Sequence, residues 1–152
     1  YLAARPDDAT AHYGLGHLLQ MQLGTEEATK EFRRSIELQP VQTESYYELG
    51  QIALDGKHDA EAAQLFRPAI ARAPTHGGAL TGMGILSYRA KNYADAEGYL
   101  AKAIVSAPDY QPAHYYYSLA LAHVGKRTEA EQQLKIAASL QQKRAMPTAE
   151  KP

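Results

Sequence analysis

The 152-residue chain contains no cysteine, which excludes disulfides, thiolate zinc sites and cysteine nucleophiles. It also lacks a dominant charge. Sixteen Lys and Arg face seventeen Asp and Glu, a formal net charge of -1. Such a balance provides no global field to draw in nucleic acid or an anionic membrane surface, so no nucleic-acid partner is expected. No apolar run approaches the roughly 18 residues of a transmembrane helix, so direct membrane insertion is not expected either. The opening Tyr-Leu-Ala-Ala-Arg does not read as a signal peptide. The lack of cysteine leaves the compartment open, because such a chain is at home in either redox environment. The remaining composition, 45% apolar and 22% charged, is that of a folded globular chain.

What is present is a period. Prolines stand at Pro6, Pro40, Pro74 and Pro108, each step 34 residues long. With proline at position 32 of a unit, the units are 9–42, 43–76, 77–110 and 111–144. Position 8 then reads Gly16, Gly50, Gly84, Ser118, and position 20 reads Ala28, Ala62, Ala96, Ala130. Position 24 reads Phe32, Phe66, Leu100, Leu134, and position 28 reads Ile36, Ile70, Ile104, Ala138. Several columns repeating in register are the signature of a stacked-repeat architecture.

Within each unit, apolar residues recur at three- and four-residue intervals in two stretches, which predicts two helices. The first helices are expected over about 9–22, 43–55, 77–90 and 111–124. The second are expected over about 26–38, 59–73, 93–107 and 127–143. Proline ends each pair by pushing the preceding residue out of the α region. Asp7, Thr75 and Asp109, which follow prolines, are expected to cap the next helix. Small residues at positions 8 and 20 let the paired backbones approach, and the larger ones at 24 and 28 are expected to fill the space towards the next unit. Pro68, inside a second helix, is expected to bend it or disrupt its bonding near Gln64.

The spacing Leu15-Gly16, Ala28, Phe32, Pro40, repeated as Leu49-Gly50, Ala62, Phe66, Ala69, Pro74, resembles the tetratricopeptide repeat. The resemblance covers essentially all of 9–144. It departs at position 4, which is His12, Tyr46, Leu80 and His114 and never tryptophan, and at Gln142, which replaces the closing proline. It implies an all-α fold, a right-handed superhelical solenoid of helix-turn-helix repeats, and a protein-protein interaction scaffold rather than an enzyme. On this reading residues 1–8 are the tail of a preceding repeat's second helix, and 145–152 form a polar C-terminal tail.

The resemblance further implies that the first helices line a concave groove for a peptide or helix. Carried onto this sequence, with tyrosine recurring at position 5, it nominates Tyr13, His17, Tyr47, Glu48, Gln51, Tyr88, Arg89, Tyr115 and Leu119. Tyrosine is rigid and amphipathic and suits such a surface. Glu44, Glu48 and Asp55 give the second unit an acidic centre that favours a basic side chain. The carboxylate-gripping residues of co-chaperone members correspond here to Tyr13, His17, Glu48, Gly78 and Gly82, none of which match. A clamp for a C-terminal carboxylate is therefore not expected.

Six histidines are spread along the chain, none paired at the i, i+4 spacing of a helical zinc site. His12 and His114 occupy an inward-facing position, and His58 and His76 lie at helix breaks. No metal, cofactor or catalytic residue is expected. Two rival readings are self-association into a homo-oligomer and a non-catalytic repeat arm of a larger enzyme.

Overall fold

The computed structural model describes residues 7–146. Among them lie eight α-helices and no strand. They are α1 Ala9–Met21, α2 Thr25–Leu38, α3 Thr43–Asp55, α4 Asp59–Arg72, α5 Gly77–Arg89, α6 Tyr93–Ser106, α7 Gln111–His123 and α8 Arg127–Ala145. The fold is all-α, and the helices fall where the apolar periodicity places them. The expected helix tail over 1–8 lies mostly outside the described residues, as does most of the tail over 145–152.

One turn chemistry joins the helices of each pair. The residue at position 15 adopts a left-handed backbone: Leu23 (φ 63°), Lys57 (φ 59°), Lys91 (φ 62°) and Gly125 (φ 86°). The next N–H then bonds a carbonyl five residues back, closing the first helix as a left-handed C-cap does. Those bonds are Gly24 to Leu19 (2.9 Å), His58 to Ala53 (2.8 Å), Asn92 to Ser87 (2.9 Å) and Lys126 to Leu121 (2.9 Å). A side chain with a Cβ is strained there, which makes the 89% exposed Leu23 the least suited of the four.

The helix starts after each proline correct one expectation. The N-cap falls two residues past the proline, not one. Asp8 accepts from the Ala11 N–H at 3.0 Å, and His76 Nδ1 accepts from the Ala79 N–H at 3.1 Å. Asp7 instead faces Arg34 at 3.3 Å. A proline at position 32 still needs one further residue to turn the chain, so the capping side chain shifts with it. Pro68, expected to bend its helix or disrupt its bonding near Gln64, costs one bond without ending the helix. It stands inside α4, which runs without interruption from Asp59 to Arg72. The carbonyl that loses its partner belongs to Gln64, an exposed residue.

The chain divides into two compact units, residues 1–82 and 83–152, the division falling inside α5. In the first unit Ala28, Phe32 and Leu49 form a buried cluster against Tyr13, Leu19, Ile36, Ile52 and Leu65. A Cβ added at Gly16 would stand 2.8 Å from the Phe32 ring, and one at Gly50 would stand 2.7 Å from Phe66. Only glycine permits that approach. Phe66 also reaches the following helix, since a Cβ at Gly82 would come within 2.5 Å of its ring. Position 24 therefore fills two gaps, one inside its own pair and one beyond it. In the second unit Ala96, Leu100 and Ala120 are buried against Tyr88, Tyr116 and Tyr117. Gly84 admits Leu100 as Gly50 admits Phe66, at 2.4 Å from the absent Cβ.

Candidate peptide-binding faces

In the first unit, the first helices bring four nominated residues into one neighbourhood. Tyr13 and His17, one turn apart on α1, have ring centroids 6.3 Å apart, and Tyr13 leans on Phe32 at 5.9 Å. On α3, Tyr47 leans on Phe66 at 6.2 Å and on the His76 ring at 4.7 Å. Its ring lies over Gly78, where a Cβ would approach within 2.7 Å. Both tyrosines thus cover a seam with one face while remaining partly exposed.

Glu48 is partly buried beside them. Burial raises its carboxyl above the ordinary 4.5, with Glu44 adding to the rise, while His17, a hydrogen bond from Gln20 and His76 oppose it. Burial also raises the Tyr13 phenol, followed by the charges of Glu48 and Glu44. His76 is held at both ring nitrogens. Its Nδ1 accepts the Ala79 N–H, so Nε2 carries the proton and donates to Glu44 Oε1 at 2.9 Å. Gln51, a turn further along α3, donates its amide to Asp55 Oδ1 at 3.1 Å.

The second unit builds a different surface. Tyr88 meets Tyr93 at 5.5 Å, Tyr116 at 6.0 Å and His123 at 5.6 Å, all edge-to-face. Its hydroxyl lies 3.3 Å from His123 Nε2. Tyr93 and His123 stack in parallel, 3.9 Å between centroids at 4°. Tyr115 stands edge-on to Tyr116 at 5.4 Å. Burial raises the Tyr88 phenol, and Tyr93, Tyr115 and Tyr116 raise it further. Arg89 is exposed at the end of α5. Leu119, one turn beyond Tyr115, lines an apolar cavity of about 270 Å³ with Ser118, Ala122, Arg127, Ala130, Glu131 and Leu134.

Sequence reasoning missed His76 and Tyr93 at these faces. Each occurs once, at a position the repeat columns leave unconstrained. Tyr93 alone carried a signal, since the matching residues are the polar Thr25, Asp59 and Arg127. The two inward histidines are hydrogen-bonded core groups. His12 Nδ1 lies 2.5 Å from Glu31 Oε2. His114 bridges Gln133 (2.6 Å) and the Pro108 carbonyl (2.7 Å) through its two nitrogens. The carbonyl only accepts, so Nε2 of His114 carries a proton. Among the described residues no group of three His, Asp or Glu is placed to hold a metal ion, and no helix is long and apolar enough to cross a membrane.

A model of the tetratricopeptide repeat matches residues 21–77 and 81–146. No sequence match is found among curated proteins. Several solved structures share the fold. MamA has a TM-score of 0.75 at 24% identity, covering 95% of this chain and 84% of that one. YrrB, a TPR protein with an unusual peptide-binding site, has a TM-score of 0.71 at 20% identity, covering 93% and 73%. PilF of Pseudomonas aeruginosa has a TM-score of 0.79 at 20% identity, covering 91% and 63%.

Proposed function

The chain belongs to the tetratricopeptide repeat family, whose members are protein-interaction scaffolds, and on that footing we propose that it holds a peptide or helical segment of a protein partner on its tyrosine-bearing first-helix faces. Residues 9–42, 43–76, 77–110 and 111–144 are its repeat units, and it catalyses no reaction of its own. The observation that carries the reading is that Tyr13, His17 and Tyr47 lie in the neighbourhood of the partly buried Glu48 carboxylate. A Lys or Arg side chain laid between Glu44 and Glu48 gains charge pairing and the faces of two phenol rings. In the second unit, Tyr88, Tyr115 and Tyr116 supply apolar contact with polar tips, with Arg89 and Leu119 flanking. Glu48 repels a carboxylate, so internal or basic segments are the ligand class rather than acidic chain ends.

A random-peptide display selection tests this, run on the wild type beside Glu48→Lys and Glu48→Gln. Enrichment of peptides with a basic residue on the wild type, lost on Glu48→Lys, supports the reading. Selection of the same peptides by all three proteins sinks it. Tyr47→Ala is the poorer probe, because that ring covers Gly78 and its loss disturbs the fold itself.

A further inference from the structure

The residue that precedes each first helix is Asp8, Gln42, His76 or Tyr110. Gln42 and Tyr110 make no capping bond through their side chains. Asp8 caps α1 with a carboxylate oxygen, 3.0 Å from the Ala11 nitrogen. His76 caps α5 with Nδ1, 3.1 Å from the Ala79 nitrogen. The two caps differ chemically, because an imidazole nitrogen accepts a hydrogen bond only while it carries no proton. The same ring donates from Nε2 to Glu44 at 2.9 Å and lies 4.7 Å from the Tyr47 ring, with 16% of the His76 side chain exposed. One histidine thus joins a helix start to the acidic face of the first unit.

Protonating that ring acts on both bonds at once. Nδ1 gains a proton, so the Ala79 N–H loses its acceptor, and a cation stands at the helix end where the dipole favours anions. Ala79 is buried, which makes an N–H left without an acceptor there costly. The first turn of α5 holds no acidic residue to take over the cap. Nε2 keeps its hydrogen and its hold on Glu44, and that bond becomes an ion pair. The groups set against the ring are Glu44, Glu48 and the Tyr47 phenol, all on α3, and His17 of α1 bears on Glu48 as well. A protonated His76 is therefore a cation already seated beside the carboxylates that a basic ligand would use.

We propose that His76 is a proton-operated switch at this face. Neutral, it caps α5 and leaves the charge of Glu44 and Glu48 uncompensated for a Lys or Arg side chain. Protonated, it uncaps α5 and takes Glu44 for itself, so a basic segment is held near neutrality and released in mild acid. The release rests on the reading that this face receives a basic segment, whereas the loss of the cap rests on the ring's own geometry. Histidine ordinarily changes charge between about pH 8 and pH 5, which sets the range to be searched.

Nitrogen NMR of the intact chain reads the cap without any ligand. At the upper end of that range His76 should show a bare Nδ1 and a protonated Nε2. On acidification its signals should titrate, and the Ala79 amide should shift with them and exchange faster with water. His76→Asn keeps a good capping oxygen and has no proton to gain in this range, so its Ala79 amide should stay in place. A protonated Nδ1 at the upper end, or an Ala79 amide that ignores the His76 titration, overturns the switch. Binding of an acetylated, amidated tetralysine then reads the release. The wild type should lose about fivefold more affinity across the range than His76→Asn, which keeps the contributions of His17 and Glu48. Equal losses in the two proteins overturn the release even where the cap titrates. A tetralysine that binds neither protein at any pH overturns the basic-segment reading and the release with it, and the Ala79 amide alone then decides the cap.

Discussion

Each unit holds its helix pairs by the same kind of seam, and the two differ in what they build above it. In both, a glycine on a first helix admits the position-24 side chain of the second: Gly16 and Gly50 over Phe32 and Phe66, Gly84 over Leu100. Above that seam the first unit gathers Tyr13, His17, Tyr47 and His76 around Glu48. The second packs Tyr88, Tyr93, Tyr116 and His123 on one another, and no carboxylate is among the causes that shift Tyr88. The repeat constrains the residues that hold helices together. It leaves the exposed turns of the first helices free, and there one unit has become electrostatic and the other aromatic.

If the seam is the common element, cutting it should be the most damaging change available. Phe66→Ala removes a ring wedged between Gly50 and Gly82 and leaves a cavity that two helix backbones cannot close. The expected loss is about 4 kcal/mol in chemical denaturation. Leu134→Ala, in the same column but half exposed, should cost less than about 1 kcal/mol. Equal losses would mean that Leu134 is already covered in solution, and that the last repeat is not different from the others.

These columns were the most legible part of the chain. The 34-residue period, the glycine at position 8 and the aromatic or leucine at position 24 placed every helix, because close packing restricts residue type so severely. The caps were legible only to within one residue. Asp8 could not be told from Asp7, nor His76 from Thr75, since each pair lies within one short turn and only backbone geometry separates its members. Pro68 was legible as a lost bond at Gln64, because a proline nitrogen carries no N–H whatever surrounds it, but residue type did not announce that α4 runs on to Arg72. At the candidate faces, Tyr13, Tyr47 and Tyr115 stood out through repetition. His76 and Tyr93 did not, because a contact made once across two helices leaves no column to read.

The helix–helix turns sharpen the comparison at a smaller scale. The same left-handed position is filled by Leu23 in the first unit and by Gly125 in the second. Leu23→Gly should stabilise the chain by about 1 kcal/mol, by relieving a strained side chain that is 89% exposed and packs on little. Gly125→Ala should cost about as much, as nothing lies near its Cβ to compensate. Thermal melts of both variants would check this, and the two should move in opposite directions. A similar shift of about 1 kcal/mol or less is expected for Tyr93→Leu, which keeps the bulk but loses the parallel stack on His123.

The smallest expected effect is the one that most directly separates the electrostatic face from the aromatic one. Burial raises the Glu48 carboxyl above the ordinary 4.5, so the folded chain binds that proton more tightly than the unfolded chain does. The contribution of Glu48 to stability is therefore fully present below the unfolded value and is lost as pH rises through the folded one. Glu48→Gln keeps the shape and cannot ionise. Its melting temperature should match the wild type in acid and pull slightly ahead as pH climbs from the ordinary carboxylate range towards neutrality. A basic peptide on the first unit should respond in the opposite sense, gaining affinity over that window as the carboxylate charges, and losing the gain in Glu48→Gln. Tyr88→Phe in the second unit should leave both pH profiles unchanged. Should the wild type instead outlast Glu48→Gln at neutral pH, the carboxylate would be a stabilising partner of His17 and Gln20 rather than a desolvated group held ready for a cation.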